Sequence, residues 1–457
     1  MARQVIPMTR SERNRPLRHN HTGCGHKGSF LFRIIGIMVC LVLLTPFLQS
    51  AISEPSTSEA HPGELTGKKI RLVWEPIPDA VAYQIMFRNE QGEINDEASL
   101  TDIIFPKEIY TPGVELDLSL LPKGETIWWQ VRALNLDREP ISGFTAAQEV
   151  AAGEIDPVAP YITAHLNALP RLPLYPVYAW IPVLGAEAYE VQIFSGQIQS
   201  GALKKSYVIK GASSFDYYDT DAFTTAGDYW WRVIALDAKG QAVGTWSEAQ
   251  PFTVQREGNN VAALGDSVTH GGGAISNPPS DPVYDWTSYV GLPVKNLGRS
   301  GDTASTILAR FSEEVLPFRP KILVVMGGIN DIRAGTPASE VISNLSQIGE
   351  QCRENKITPV FLTLTPVNPA LIKRAFNEDT SDNWHEEWHK VNEWVRDQAY
   401  YVDIAPLFTT PEGIMPADYA TDGLHPDSRG KALIGQAVGQ WLSATFGEDI
   451  NKCKTAL

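Results

Sequence analysis

The sequence predicts a multidomain protein in which two all-β, immunoglobulin-like sandwiches are followed by a three-layer α/β/α domain. The chain has 457 residues, more than one ordinary hydrophobic core accommodates. A segment of about a hundred residues occurs twice before residue 257. From residue 258 onward, apolar runs of strand length alternate with helical stretches, a pattern typical of a parallel sheet covered by helices.

The first 52 residues form a basic segment followed by an apolar run. The first 51 residues contain seven basic residues and one acidic residue, Glu12, which gives them a net charge of +6. Residues 34–48 are apolar or uncharged, too short a run for an ordinary membrane span and typical of a signal-peptide core. Cleavage after this run and its retention as an N-terminal transmembrane anchor both remain open. Either outcome predicts an exported protein, extracellular or periplasmic and at the cell surface, with residues 53–67 as a polar linker.

Charge and cysteine content exclude several classes of partner and site. The chain carries a net charge of −15, so the part after residue 51 carries −21. A body this acidic repels nucleic acid and anionic lipid headgroups, and neither is expected as a partner. Only Cys352 and Cys453 follow the targeting segment, and their spacing resembles neither a zinc site nor a redox pair. A disulfide between them is open but not favoured.

The internal duplication is marked by aromatic residues. A Trp-x-Pro triplet begins at Trp74 and again at Trp180, and a tyrosine follows nine residues after each tryptophan. The pattern Trp-Trp-x-Val-x-Ala-Leu then occurs at residues 128–134 and 230–236. Short alternating runs around both tyrosines predict half-buried strands, and turn residues divide them at the spacing of a sandwich.

These landmarks resemble fibronectin type III modules over residues 68–150 and 172–256. The second copy retains the ending Gly244-Thr245-Trp246-Ser247, whereas the first departs from that pattern at residues 135–143. The resemblance implies two β-sandwiches. They would serve either as glycan- or wall-binding modules or as a spacer that holds the following domain away from the membrane.

The third predicted domain spans residues 258–447 and is followed by a short polar tail, residues 448–457. Its predicted strands and helices alternate, which implies a doubly wound sheet that binds ligands at the carboxyl ends of its strands. The predicted strands are residues 261–264, 294–297, 322–326, 359–364 and 401–404. The predicted helices are residues 303–314, 338–355, 384–398 and 428–445.

Residues suited to serine hydrolysis follow these strands in order. A serine becomes a useful nucleophile when a base takes its proton and hydrogen-bond donors hold the oxyanion that forms. Ser267 follows the first strand, with His425 as the candidate base and Asp422 as the group that orients it. The candidate oxyanion hole consists of the N–H groups of Ser267 and Gly301 and the side-chain amide of Asn330. Each motif alone is typical of an ordinary turn, but together and in this order they predict an active site.

Four motifs in this domain resemble the SGNH (GDSL-type) hydrolase family. They are Gly265-Asp266-Ser267, Asn296-Leu297-Gly298-Arg299-Ser300-Gly301-Asp302-Thr303, Gly328-Ile329-Asn330-Asp331 and Asp422-Gly423-Leu424-His425. Val268 replaces the leucine of the family's name-giving tetrapeptide. The resemblance implies a flavodoxin-like α/β/α fold and an esterase, lipase or carbohydrate deacetylase. It also implies catalysis by Ser267, Asp422 and His425, with the oxyanion positions given above and without a metal or an organic cofactor.

Five nearby polar residues are expected to have roles other than catalysis. Asp266 and Asp331 are expected to accept hydrogen bonds that shape their loops. His270, followed by three glycines, is expected either to line the pocket mouth or to lie in a mobile loop. Arg299 and Arg333 flank oxyanion positions and could contact a sugar or an anion, or simply be solvated.

A competing motif, His385-Glu386-Glu387-Trp388-His389, fits the zinc-peptidase pattern H-E-x-x-H on a predicted helix. The apolar spacing of Trp384, Trp388, Val391 and Val395 defines the buried face of that helix and places the histidines beside it. No third ligand motif follows, so the sequence favours a site without metal.

We therefore expect a serine esterase that hydrolyses short acyl or acetyl esters through an acyl-serine intermediate. The expected substrate is a small-molecule ester or a glycan ester, the latter on cell-surface or extracellular polysaccharide. Two alternatives remain open at this point. One is acyl transfer to a sugar hydroxyl, and the other is a glycan-binding or adhesion protein with a vestigial site.

Overall fold

The computed structural model describes residues 69–89, 92–93, 108–117, 126–150, 159–164, 166–169, 171–272 and 278–450. The predicted targeting segment, the linker after it and the last seven residues lie outside these ranges. Within the described ranges, no helix combines the length and the apolar character needed to cross a membrane.

The described residues of the first β-rich region, residues 69–150, form two antiparallel sheets. One pairs β1 with β4, and the other has the order β3-β2-β5-β6. The strands are β1 (Lys69–Val73), β2 (Ala82–Asn89), β3 (Gly92–Glu93), β4 (Gly113–Asp117), β5 (Trp128–Leu134) and β6 (Gln148–Glu149). Alternate residues of β5 are buried, and they join apolar residues of β1, β2 and β4 in one core. This alternation is expected for a sheet with one face inward.

The second β-rich region, residues 171–254, repeats this arrangement. A two-stranded sheet pairs β7 with β10, and a larger sheet has the order β12-β11-β8-β9 with β13 also paired to β11. The strands are β7 (Val177–Ala179), β8 (Ala188–Ser195), β9 (Ala202–Lys210), β10 (Asp216–Tyr218), β11 (Gly227–Leu236), β12 (Ala242–Val243) and β13 (Gln250–Val254).

The two β-rich regions share specific contacts as well as strand order. In the first, the Ile77 N–H donates to the Tyr83 hydroxyl at 3.1 Å. In the second, the Val183 N–H donates to the Tyr189 hydroxyl at 2.8 Å. Each tyrosine ring also lies 5.2 Å from the tryptophan that precedes it by nine residues. The aromatic landmarks of the sequence therefore occupy equivalent places in the two copies.

The C-terminal domain is built on a parallel sheet with the order β15-β14-β16-β17-β18. The strands are β14 (Val261–Gly265), β15 (Val294–Gly298), β16 (Ile322–Met326), β17 (Thr358–Leu362) and β18 (Tyr401–Val402). In chain order this is 2-1-3-4-5, the order of flavodoxin-like doubly wound sheets. All residues of β14, β15 and β16 are buried, which shows that both faces of the sheet are covered.

Eight α-helices accompany this sheet among the described residues. They are α1 (Ser267–His270), α2 (Ala304–Ala309), α3 (Phe311–Glu314), α4 (Ile329–Arg333), α5 (Ala338–Glu354), α6 (Pro369–Phe376), α7 (Trp384–Arg396) and α8 (Ser428–Phe446). Helices α2, α5 and α7 pack in sequence, α2 against α5 and α5 against α7, whereas α8 packs against the short 3₁₀ turns at residues 282–289.

Two segments differ from the sequence-based expectation. The helix predicted for residues 303–314 is interrupted at Arg310, which has φ −94° and ψ 0° and separates α2 from α3. Its side chain points inward to buried carboxylate and carbonyl partners. The segment after β17, for which no helix was predicted, contains α6. That helix begins with Asn368 as N-cap and Pro369 at its first position, which are ordinary start signals.

Candidate active site

Ser267 lies at the first position of α1, directly after the carboxyl end of β14. Asp266 caps this short helix, and its carboxylate accepts the Val268 N–H at 2.9 Å. Helix α1 lies close against the end of β15. A Cβ atom added to Gly298 would stand only 2.2 Å from the His270 backbone nitrogen. A glycine at this position therefore allows the helix and the strand end to approach, and it fixes the turn that presents Ser267.

Ser267, His425 and Asp422 form a continuous hydrogen-bonded chain. The His425 Nε2 lies 2.9 Å from the Ser267 Oγ, and its Nδ1 lies 2.9 Å from the Asp422 Oδ2. The other oxygen of Asp422 accepts the backbone N–H groups of Leu424 and His425 at 2.9 and 2.8 Å. All three side chains of the chain are buried. The Asp422 carboxylate thus accepts hydrogen bonds both from the backbone of its own loop and from the imidazole of His425.

The charge state of Asp422 sets the tautomer of His425. Burial alone would raise the pKa of the Asp422 carboxyl, but the charge of His425 and the hydrogen bonds from its ring and backbone together hold that pKa below its ordinary value. An ionised carboxylate only accepts hydrogen bonds, so Nδ1 carries the proton. In the neutral imidazole, Nε2 is then the acceptor that faces the serine hydroxyl.

The two other candidate oxyanion positions are Gly301, in the loop after β15, and Asn330, in α4. The Arg299 N–H donates to the Gly265 carbonyl at 3.0 Å, which ties the loop that holds Gly301 to the end of β14. Gly301 has φ +84°, a left-handed conformation that favours glycine. The Asn330 amide donates to the Asp302 carbonyl at 2.9 Å, and an amide nitrogen carries a second N–H that this bond does not use.

A buried arginine connects the oxyanion loop to the nucleophile's strand. The Arg310 Nε lies 2.6 Å from the Asp302 carboxylate, and one terminal nitrogen donates to the Gly265 carbonyl at 2.9 Å. Its other terminal nitrogen pairs with Glu314 at 2.9 Å. Glu314 in turn accepts from the Tyr175 hydroxyl at 2.6 Å, so the chain segment before β7 also contacts this network. The sequence pattern gave no indication of this role.

A buried lysine lies beneath the nucleophile's turn. The Lys431 Nζ donates to the Val268 carbonyl at 2.5 Å, and the side chain is fully buried in α8. Burial lowers the pKa of Lys431 to about 8, although Asp285, Asp266 and Asp422 oppose that shift. The sequence does contain a signal for it, since Lys431, Ile434 and Val438 recur on one face of the helix.

His270 does not line the pocket mouth, and its position corrects that sequence-based suggestion. Its ring is buried, with Nδ1 2.9 Å from the Ser300 Oγ and Nε2 2.7 Å from the Tyr175 carbonyl. Burial lowers the pKa of His270 to about 4. The neighbouring arginines have partners of their own: Arg299 lies over the Tyr175 ring, and Arg333 pairs with Glu378.

The two aspartates expected to shape loops accept backbone hydrogen bonds. Asp266 caps α1, as described above, and Asp331 accepts the Ala304 N–H at 2.8 Å across the sheet end. Burial raises the pKa of each carboxyl to about 6. Asp266 therefore shapes the turn that holds Ser267, and Asp331 connects α4 to the start of α2.

The H-E-x-x-H motif lies on α7. Trp384, Trp388, Val391 and Val395 form the buried face of this helix, and the His385 and His389 rings stand 4.5 Å apart beside it. In the described part of the chain, no group of three or more His, Cys, Asp or Glu side chains is placed to hold a metal ion.

Comparison with known proteins identifies the C-terminal domain. Residues 263–433 match the GDSL-like Lipase/Acylhydrolase family. The chain is also 29% identical over 121 residues to the uncharacterized lipoprotein YqeF of Bacillus subtilis (strain 168). The aligned region covers 24% of this chain and 49% of that protein. The chain thus spans about half the length of this curated relative.

Solved structures to which the chain is similar include a GDSL-like lipase from Bacteroides thetaiotaomicron VPI-5482. The identity is 18% and the TM-score 0.32, over 43% of this chain and 89% of that one. The acetylxylan esterase Axe2 from Geobacillus stearothermophilus has 20% identity and a TM-score of 0.32 over 41% and 94%. Residues 263–433 make up a GDSL-like lipase/acylhydrolase domain, and this supports an ester-hydrolysing enzyme.

Proposed function

We propose that the protein is a serine esterase that cleaves short acyl esters through an acyl-serine intermediate. Ser267 is the nucleophile, His425 the general base and Asp422 the group that orients and stabilises the imidazole. The observation that carries this proposal is the hydrogen-bonded chain from Ser267 Oγ through both nitrogens of His425 to Asp422, with 2.9 Å at each ring nitrogen. These distances fall within the range needed for proton transfer between a nucleophile and its base.

The reaction proceeds in two halves. The Ser267 oxygen attacks the ester carbonyl while its proton moves to His425 Nε2, and the tetrahedral oxyanion collapses as the alcohol leaves with that proton. A water molecule then attacks the acyl-serine and gives a proton to the same nitrogen, and that proton passes to the Ser267 oxygen as the C–O bond to serine breaks and the carboxylic acid is released. Asp422 stays ionised throughout and stabilises the imidazolium that forms at each step.

The oxyanion is held by the N–H groups of Ser267 and Gly301 and by the Asn330 amide. The first of these lies at the amino end of α1, where the N–H groups have no partner within the helix. The Asn330 amide is oriented by its bond to the Asp302 carbonyl. Donors fixed in advance cost no reorganisation when charge develops, which is the physical basis of such a site.

We propose a short acyl group, such as acetyl on a cell-surface or extracellular polysaccharide, as the substrate class. Helix α6 brings the Phe376 ring to 6.2 Å from the His425 ring, and this bulk beside the base favours a small acyl group. The polysaccharide component rests on the predicted export signal and on the β-rich regions that precede the enzyme domain.

For those two regions, we propose fibronectin type III-like modules at residues 68–150 and 172–256, followed by the enzyme domain at residues 258–447. The support is the repeated strand order and the equivalent Tyr83 and Tyr189 hydrogen bonds. Binding of acetylated and deacetylated glycans by the full chain, measured beside hydrolysis, separates a recognition role of these modules from a spacer role.

The test of the mechanism is Ser267→Ala in the full chain, assayed with p-nitrophenyl acetate and with longer p-nitrophenyl esters. Loss of the nucleophile is expected to reduce kcat by a factor on the order of 10⁴ or more. Ser443→Ala, an exposed serine in α8, is the matched control and should retain full activity. Turnover by Ser267→Ala within tenfold of the parent protein would falsify the mechanism. Product analysis with an added sugar acceptor shows whether the acyl group goes to water or to a hydroxyl.

A further inference from the structure

The loop that carries Asp422 and His425 is contacted at both ends by the first β-rich region. We define this loop, residues 421–428, as the catalytic loop. Asp79 contacts the end of the loop directly, and Asp137 reaches its start through Arg374. Both aspartates lie in turns of the first β-rich region, more than two hundred residues earlier in the chain.

The start of the catalytic loop is held through Arg374 of α6. One terminal nitrogen of its guanidinium donates to the Thr421 carbonyl at 2.6 Å, and the other lies 2.9 Å from the Asp137 carboxylate. The Arg374 and Asp137 side chains are 38% and 46% exposed. An ion pair this exposed contributes little to the free energy of unfolding. We therefore expect it to influence the position of the catalytic loop and not the stability of the protein.

The end of the catalytic loop is held directly. The two carboxylate oxygens of Asp79 accept two hydrogen bonds from Ser428, one from the backbone N–H at 2.9 Å and one from the hydroxyl at 2.7 Å. Ser428 is the first residue of α8, and its N–H has no acceptor within the helix. A carboxylate at this point satisfies that donor and interacts favourably with the helix dipole.

The turn that presents Asp79 is itself fixed by the enzyme domain. Asp79 has φ +64°, and the Ala80 N–H donates to the Ile77 carbonyl, which closes a tight turn. The Asp79 N–H donates to the Tyr284 hydroxyl at 2.9 Å, and Tyr284 is buried beside α8. Asp79 therefore bridges two elements of the enzyme domain through three hydrogen bonds.

We propose that the first β-rich region positions the catalytic loop, with Asp79 as the main positioning residue and Asp137 as the second. The inference rests on the proposed function, since it takes His425 as the base. A triad works only when its members stay within about half an ångström of the productive geometry, and a loop of eight residues needs external contacts to hold it there. The first β-rich region supplies such contacts on both sides of His425. It thereby contributes to the rate of the reaction and is more than a spacer.

The central experiment compares two substitutions of Asp79 in the full chain. Asp79→Gly removes the carboxylate and keeps the positive φ without strain, because glycine adopts it freely. Asp79→Asn keeps a side-chain oxygen that can accept the Ser428 N–H and also tolerates this conformation. We expect kcat for p-nitrophenyl acetate to fall about tenfold or more in Asp79→Gly with little change in KM, and to be largely restored in Asp79→Asn.

Asp137→Ala provides the second arm and stays informative if Asp79→Gly fails to fold. Its ion pair is exposed, so the midpoint of urea unfolding is expected to change little. We expect kcat to fall about threefold at unchanged KM, a smaller effect because Arg374 can still reach the Thr421 carbonyl. The exposed pair Arg396–Asp403 lies elsewhere in the domain, and Asp403→Ala is the matched control with parental kcat.

The outcomes separate this inference from the proposed function. If Ser267→Ala is inactive while Asp79→Gly and Asp137→Ala both retain the parental kcat, the positioning role is wrong and the mechanism stands. A lower unfolding midpoint in Asp79→Gly with unchanged kcat per folded molecule also overturns the positioning role. Loss of kcat in Asp79→Gly with recovery in Asp79→Asn supports it. If Ser267→Ala retains activity, the proposed function fails first.

Discussion

The Ser267 Oγ and the His425 Nε2 lie 2.9 Å apart although 158 residues separate them in the chain. Ser267 belongs to the turn after β14, near one edge of the sheet, whereas His425 follows the last strand, β18, at the other edge. The pair therefore joins segments that lie at different sides of the assembled sheet. Esterase activity therefore reports on the integrity of the whole C-terminal domain.

Replacing Asp422 by Asn is expected to leave the loop folded and to remove most of the activity. An amide oxygen in the place of Oδ1 can retain both backbone hydrogen bonds, but the NH2 group that then faces His425 cannot fix the Nδ1–H tautomer or stabilise the imidazolium. We expect kcat to fall by a factor on the order of 10³–10⁴ with little change in KM. Steady-state kinetics with p-nitrophenyl acetate measure this, and circular dichroism checks the fold. A loss smaller than tenfold would mean that Asp422 only shapes the loop.

Replacing Asn330 by Ala tests the oxyanion role. Removal of one oxyanion donor typically lowers kcat by about 10²–10³-fold, because that donor acts mainly on the transition state. The substitution also removes the bond to the Asp302 carbonyl, so unfolding in urea should be measured in parallel. If KM rises while kcat stays at the parental value, Asn330 binds substrate rather than the oxyanion.

Much of the C-terminal fold could be predicted from local sequence, because buried parallel strands are continuous apolar runs. Residues 322–326 were predicted as a strand and form β16 with the same bounds. The site residues could be proposed because each motif follows such a strand or lies in the last loop. Asp422 lies three residues before His425, so a single turn is enough to bring their side chains together.

The remaining features depend on contacts between distant segments. The break at Arg310 could not be predicted, because residues 303–314 favour a helix and the break follows from buried partners at Asp302 and Gly265. The contact between Asp79 and Ser428 spans 349 residues and has no local signature. The buried position of Lys431 was not predicted from the sequence. Its spacing relative to the apolar residues of α8 does place it on the buried face of that helix.

Replacing Arg310 by Ala is expected to destabilise the domain strongly. Arg310 and Asp302 are 6% and 5% exposed, and removing one partner leaves the carboxylate buried without its counter-ion. Such a loss costs about 3–5 kcal/mol of unfolding free energy. Arg396→Ala, which removes a far more exposed pair with Asp403, should cost at most about 1 kcal/mol. Urea unfolding of both variants measures the difference, and equal values would show that the network of Arg310 is not a structural requirement.

Replacing His270 by Gln is expected to reduce the loss of stability in acid. The pKa of His270 is about 4 in the folded protein and about 6.5 in an unfolded chain. Between these values the unfolded state binds a proton that the folded state does not, so stability is complete above pH 6.5 and declines as the pH falls toward 4. The contribution is about 3 kcal/mol, since each pKa unit corresponds to about 1.4 kcal/mol.

Urea unfolding of the parent protein and His270→Gln at pH 7 and pH 4.5 measures this contribution. Gln can still donate to the Tyr175 carbonyl, so it preserves one of the two contacts of the ring. Buried carboxyls with a raised pKa act in the opposite direction as the pH falls, but they are present in both proteins and cancel in the comparison. Ser443→Ala, at an exposed position on α8, should keep the acid response of the parent. An unchanged response in His270→Gln would mean that His270 already carries its proton in the folded protein. Its ring would then donate to both Ser300 and Tyr175.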